Sequence, residues 1–195
     1  MLPALSKKLS CFFVRSQIIR QEDKEIYCYS VEVLLATLSN FVMLYLFALL
    51  TGRVWETTMF IAGFVPLRSL AGGYHAKTHF RCLMTLLFTY AAFLAIIYLL
   101  SQEHYVLVSI ISVSLSVFLV FLLSPMEDKN KPLSASEKKY YRGRSQVTIL
   151  IYAGIILLGS IIFQQRIEFL CVAVGILSVS LSLVASYLGK KRVVN

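Results

Sequence analysis

CLMTLLFTYAAFLAIIYLLSQ, from Cys82 to Gln102, runs for 21 residues without a charged side chain. A helix that crosses a bilayer needs about 20 predominantly apolar residues, because each adds only about 1.5 Å of length. This run meets that need by itself. Four more uncharged runs of similar length surround it: Val33–Leu50 before, then Tyr105–Met126, Ser145–Gln165 and Phe169–Gly189. A sixth stretch, Val54–Leu67, is short and holds Glu56, Gly63 and Pro66, so it reads as a short or kinked span. The composition agrees, with 58% hydrophobic and 15% charged residues in 195. A soluble domain is about half apolar and roughly a quarter charged. The expected fold is therefore all-α, a single polytopic membrane domain over 1–195 with six transmembrane helices.

The cations give that fold an orientation. If six crossings alternate, 17 of the 19 Lys and Arg residues fall on one side and only Arg53 and Arg166 on the other. The positive-inside rule makes that side cytoplasmic, with both termini, a loop at 68–82 and a basic loop at 125–146. The net charge of +9 is thus mainly a topology signal. Nucleic-acid binding is a poor fit, since no basic patch outside the spans carries aromatic stacking residues. In the first 28 residues Leu5, Leu9, Phe12, Phe13, Ile18 and Ile19 recur near helical spacing, with Lys7, Lys8, Arg15 and Arg20 between them. That pattern suits an amphipathic helix on the cytoplasmic bilayer face, or equally a cap packed on the bundle. The basic residues mixed among the apolar ones do not resemble a cleavable signal peptide.

Immediately before Cys82 stands the polar stretch RSLAGGYHAKTHFRC, Arg68 to Cys82. Cys11, Cys28 and Cys171 have the setting of small apolar packing residues, and the four cysteines match no zinc pattern. No metal or other cofactor is expected. Cys82 differs, because His75, Lys77, His79 and Arg81 lie within seven residues of it, and cations favour the thiolate that acts as nucleophile. His79 lies three residues before it and would share its helix face. His75 lies seven before, about 10.5 Å away along a continuous helix. A base must approach to about 3 Å, so His75 requires a bend. Gly72-Gly73 offers easy backbone, and Thr78 could cap a helix starting after it. Spacing alone favours His79.

The string of Arg68, Gly72-Gly73-Tyr74-His75 and Cys82 resembles the accessory gene regulator B (AgrB) family of bacterial membrane cysteine peptidases. SPMEDKNKPLSASEKKYYR, Ser124 to Arg142, with its Lys131-Pro132-Leu133 element, adds to the likeness, which extends over the chain in length and motif order. The resemblance implies that His75 and Cys82 are the catalytic pair, against the spacing argument. It implies a substrate as well: an AgrD-like quorum-sensing precursor with an amphipathic leader, a short core and an acidic tail. Cleavage through a Cys82 thioester would release the tail, and attack from within the core would close a thiolactone or lactone. A homodimer is implied by the same likeness.

Supporting roles then fall to Arg68, Gly72, Gly73 and Arg81, the last near the oxyanion. Lys129, Lys131, Lys138, Lys139, Arg142 and Arg144 would attract the acidic tail, although topology signalling alone also accounts for them. The rival reading is a small multi-span transporter or exporter of peptides without peptidase chemistry. Such a protein places ionisable residues within its spans, whereas here Glu32 and Glu56 sit near span ends. Gly154 and Gly159 offer sites for close helix packing but lack the small-xxx-small spacing.

Overall fold

The computed structural model describes residues 2–73, 79–127, 133–163 and 166–194, with backbone alone for 2, 3, 79 and 190–194. Its described residues form seven α-helices and two short 3-10 turns. The chain divides into two compact units, Met1–Thr51 and Gly52–Asn195.

In the first unit α1 (Leu2–Arg15) packs on α2 (Lys24–Thr51). The expected helix over 1–28 is therefore two elements, broken at 16–23. The buried positions of α1 are Ser6 and Ser10, while Leu5 and Phe12 are exposed. Small serines bring the two helices close, and the Ser6 hydroxyl lies 3.6 Å from the Cys28 sulfur. Leu9, Phe13 and Val14 are half-buried.

The second unit holds α3 (Val54–Ala71), α4 (His79–Leu99), α5 (Tyr105–Leu123), α6 (Ala135–Ile162) and α7 (Ile167–Val194). Helix α7 packs along both α3 and α5, and its Ala173, Ile176, Val179 and Leu183 are fully buried. Helices α3 and α7 meet backbone to backbone. A Cβ on Gly175 would run into the Phe60 carbonyl, and one on Gly63 into the Val172 carbonyl. Helix α5 shows how such a bundle suits a lipid surround. It buries Ser109, Ser112, Ser116 and Val120 and exposes Leu107, Ile111, Leu115, Phe118 and Leu122. The inward hydroxyls of Ser109 and Ser116 donate to carbonyls one turn back, at 2.7 and 2.6 Å. Small polar residues inside and large apolar ones outside are the packing logic of membrane helices.

Among the described residues five helices are long and apolar enough to cross a membrane, rather than the six expected: α2, α4, α5, α6 and α7. The short or kinked element is a helix of 18 residues with Pro66 inside it. It misses the apolar standard because Glu56 and Arg68 fall within those residues. Its environment explains the tolerance. Thr57, Phe60, Gly63, Leu67 and Ala71 are buried on one face, against α7 and α6. At its start Arg53 pairs with Glu56 at 2.6 Å and stands over the Tyr98 ring of α4. The Tyr90 hydroxyl of α4 meets Thr57 at 2.7 Å, and Phe93 packs on Phe60.

Candidate active site

Helix α3 ends in a turn held from three directions. Gly72 has φ +74° and ψ −145°, and Gly73 has φ +133°, backbone that side-chain-bearing residues rarely adopt. The Met126 N–H, just beyond α5, donates to the Ala71 carbonyl at 2.9 Å. Gly72 and Met126 form a one-residue parallel bridge, and a Cβ on Gly72 would strike the Met126 carbonyl. Arg68 closes the third side. Its Nη1 donates to the Gly72 carbonyl at 2.9 Å and to the Ser182 hydroxyl of α7 at 2.8 Å. Gly73 is packed so closely over this contact that a Cβ would meet the guanidinium.

Cys82 is the fourth residue of α4, in its first turn, and is half-buried. Amides in a first turn lack intrahelical partners and point toward the helix N-terminus, where they favour negative charge. Arg81 is exposed, and its carbonyl accepts from Thr85 at 2.8 Å. The His79 backbone begins α4. His75, Lys77 and Thr78 lie outside the described residues, as do the side chain of His79 and hence the choice between the two histidines. Helix α3 has ended by Ala71 and α4 starts at His79, so Arg68 and Cys82 belong to separate helices. The link between Gly73 and His79 lies outside the described residues.

A cationic surface follows the same turn. Helix α6 begins with a full capping box: the Ser134 hydroxyl accepts from the Glu137 N–H, and the Glu137 carboxylate accepts from the Ser134 N–H. Lys138, Lys139, Arg142 and Arg144 therefore stand on helical turns, where a loop over 125–146 was expected. A cleft of about 460 Å³ is lined by Ser124, Pro125, Glu127, Lys138, Lys139 and Arg142. Lys138 is paired in it with Glu127 at 2.9 Å, and Glu127 also accepts from the Leu133 N–H. Arg144 turns away, bonding the Tyr140 hydroxyl at 3.2 Å and stacking on its ring. Lys129 and Lys131 lie outside the described residues.

Ser182, Met126 and Glu127 were not anticipated as part of this region. The capping box had a visible signal in Ser134-Ala135-Ser136-Glu137. Ser182 had none, being one of several serines in its helix. Cys11 and Cys28 are half-buried and Cys171 is buried. Among the described residues no three His, Cys, Asp or Glu side chains gather in a way that could hold a metal ion.

Known proteins resemble this chain over much of its length. An AgrB-like protein of Clostridium perfringens is 25% identical over 171 residues, which are 85% of this chain and 80% of that protein. Protein FsrB of Enterococcus faecalis is 26% identical over 139 residues, 71% of this chain and 56% of its own length. An AgrB-like protein of Clostridium acetobutylicum is 35% identical over 105 residues, 53% of this chain and 48% of that one. No solved structure matches. The description "Accessory gene regulator B" matches residues 6–183, nearly the whole sequence, and the chain belongs to that family.

Proposed function

We propose that this chain is a membrane cysteine endopeptidase that cuts the acidic tail from an AgrD-like quorum-sensing precursor and promotes cyclisation of the remaining core. The observation that carries the reading is the place of Cys82. It sits in the first turn of α4, a helix that begins six residues in sequence after Gly73 of the Arg68-held turn, and the cationic cleft adjoins that turn through Met126 and Glu127.

His75 takes the proton from Cys82, and the thiolate attacks the carbonyl between core and tail. The tetrahedral intermediate collapses, the tail leaves as an amine, and the imidazolium returns its proton to that amine. The core is then a thioester on Cys82. A thiol or hydroxyl within the core gives its proton to the now neutral His75 and attacks the thioester, closing a thiolactone or lactone as the Cys82 sulfur departs and takes that proton back. First-turn amides of α4 suit the oxyanion, with Arg81 beside them. Lys139 and Arg142, with the neighbouring Lys129, Lys131 and Lys138, attract the acidic tail.

The site is cytoplasmic in this reading, with both termini on that side, because the basic segments then satisfy the positive-inside rule. Helix α3, buried along one face against α7 and α6, supplies the extra crossing that this arrangement needs. A homodimer belongs to the same proposal: Gly154 on α6 has open space over it, between the exposed Ile151 and Ile155.

The direct test is reconstitution of the purified chain in vesicles with a synthetic AgrD-like precursor, with the reaction quenched in acid and analysed by mass spectrometry. The core should appear as an adduct on the peptide containing Cys82. Tail release that persists in Cys82→Ala would end the reading, and transport of intact precursor without cleavage would favour an exporter.

A further inference from the structure

We infer that Ser182 is a positioning residue for the active-site turn, acting through the Arg68 guanidinium rather than on the precursor. The inference rests on the peptidase reading above. A serine hydroxyl has one proton to give and two lone pairs to accept with. The Ser182 proton goes to the Val179 carbonyl, one turn back in α7, at 2.7 Å. Toward Arg68 the oxygen therefore accepts, and Nη1 donates to it at 2.8 Å while also donating to the Gly72 carbonyl at 2.9 Å. The guanidinium is thus clamped between the C-terminal turn of its own helix and a helix 114 residues further along the chain.

The clamp stands on rigid ground. Val179 and Leu183, on either side of Ser182 in α7, are fully buried in the core of the unit. Gly73 lies against both partners, and a Cβ there would meet the Arg68 guanidinium and the Ser182 oxygen. The direction in which the chain leaves Gly73 is accordingly set by α7 as well as by α3. Two residues later comes His75. Removing the Ser182 hydroxyl takes away the contact that ties the guanidinium to α7, so the turn loses definition while the cationic cleft is untouched. Small misplacements of reacting groups cost rate much more than they cost binding.

The test compares Ser182→Ala with Ser178→Ala in the vesicle-reconstituted chain, using the synthetic precursor. Ser178 makes a comparable back-bond in the same helix, to the Val174 carbonyl four residues back at 2.8 Å. Ser182→Ala should lower kcat by about tenfold with KM held within about twofold, and Ser178→Ala should leave both near wild type. In an Arg68→Lys background, Ser182→Ala should change kcat by less than about twofold, because the hydroxyl then has no guanidinium to hold. Deuterium exchange over Arg68–Gly73 should rise in Ser182→Ala without a matching rise in α5. Unchanged exchange would overturn the clamp, and raised exchange with an unchanged kcat would overturn its role in positioning. Should the wild-type chain cleave nothing, the peptidase reading falls and the positioning role falls with it, while exchange alone still decides the clamp. If Ser182→Ala does not fold, Ser182→Cys keeps the side-chain volume with a weaker acceptor and is read in the same way.

Discussion

Gly72 and Met126 close the C-terminal ends of α3 and α5 against each other, with the Met126 N–H on the Ala71 carbonyl at 2.9 Å and no room for a Cβ between them. The segment before Cys82 and the cationic segment that begins at Glu127 therefore start from one shared contact. Whatever disturbs it disturbs both.

Gly72→Ala should act on stability and activity together. The backbone there belongs to glycine, with φ +74°, and holding another residue in such a region costs about 1–3 kcal/mol before the clash with Met126 is counted. Thermal unfolding in detergent should show a lowered Tm, and precursor cleavage should fall at least about tenfold. A variant with wild-type Tm and activity would mean that the bridge does not exist in solution.

Cys82→Ser and His75→Ala should each abolish cleavage, and His79→Ala should retain most of it. The reverse order for the histidines would move the base to His79. Alkylation at neutral pH supplies a check without precursor. Cys11, Cys28 and Cys82 are all half-buried, so unequal rates among them report chemistry more than access. Cys82 should react fastest and lose that advantage in His75→Ala, whereas the buried Cys171 should stay silent.

Capture of the acidic tail should weaken as salt rises, since exposed charges are screened within about 10 Å at 0.1 M. Lys139→Gln and Arg142→Gln should raise the precursor Kd and flatten that salt dependence. Lys138→Gln should do less, because Glu127 already neutralises Lys138. Glu127→Gln should tighten binding by releasing it. Titration at several ionic strengths decides the matter, and a flat response in the wild type removes the cleft from substrate recognition.

Glycine-to-alanine changes should have opposite signs at two sites. Gly175→Ala sets a methyl against the Phe60 carbonyl and the Phe64 nitrogen, and overpacking of this kind costs about 1–3 kcal/mol. Gly143→Ala, in the open early part of α6, meets nothing within 4 Å and should stabilise by up to about 1 kcal/mol through helix propensity. A Gly175→Ala midpoint that does not fall would contradict the close approach of α3 and α7, and a Gly143→Ala midpoint that falls would contradict the open space over α6.

Much of the fold was readable residue by residue. The uncharged run from Tyr105 begins where α5 begins, and the run from Cys82 becomes α4 with three further residues at its start. Transfer of apolar side chains into lipid depends on local composition alone, so a run of sufficient length declares itself. Cys82 stood out for an equally local reason, its concentration of neighbouring cations. The capping box at Ser134 was also local and could have been read.

What the tertiary structure decided are the pairings. Glu56, Gly63 and Pro66 made α3 look like a short, broken span, yet it runs 18 residues because α7 and α6 cover it and Gly63 receives the Val172 backbone. Of the two glycines singled out in α6, Gly159 lies against the Phe169 ring, whereas Gly154 faces open space. Nothing in the string around Ser182 separates it from Ser178 or Ser180; only the turn of α7 that faces Arg68 does. Composition sets which segments become helices, because hydration and backbone hydrogen bonding act over a few residues. Which side chain then meets which is a property of helix against helix, fixed by steric fit between positions as far apart as Arg68 and Ser182, 114 residues along the chain.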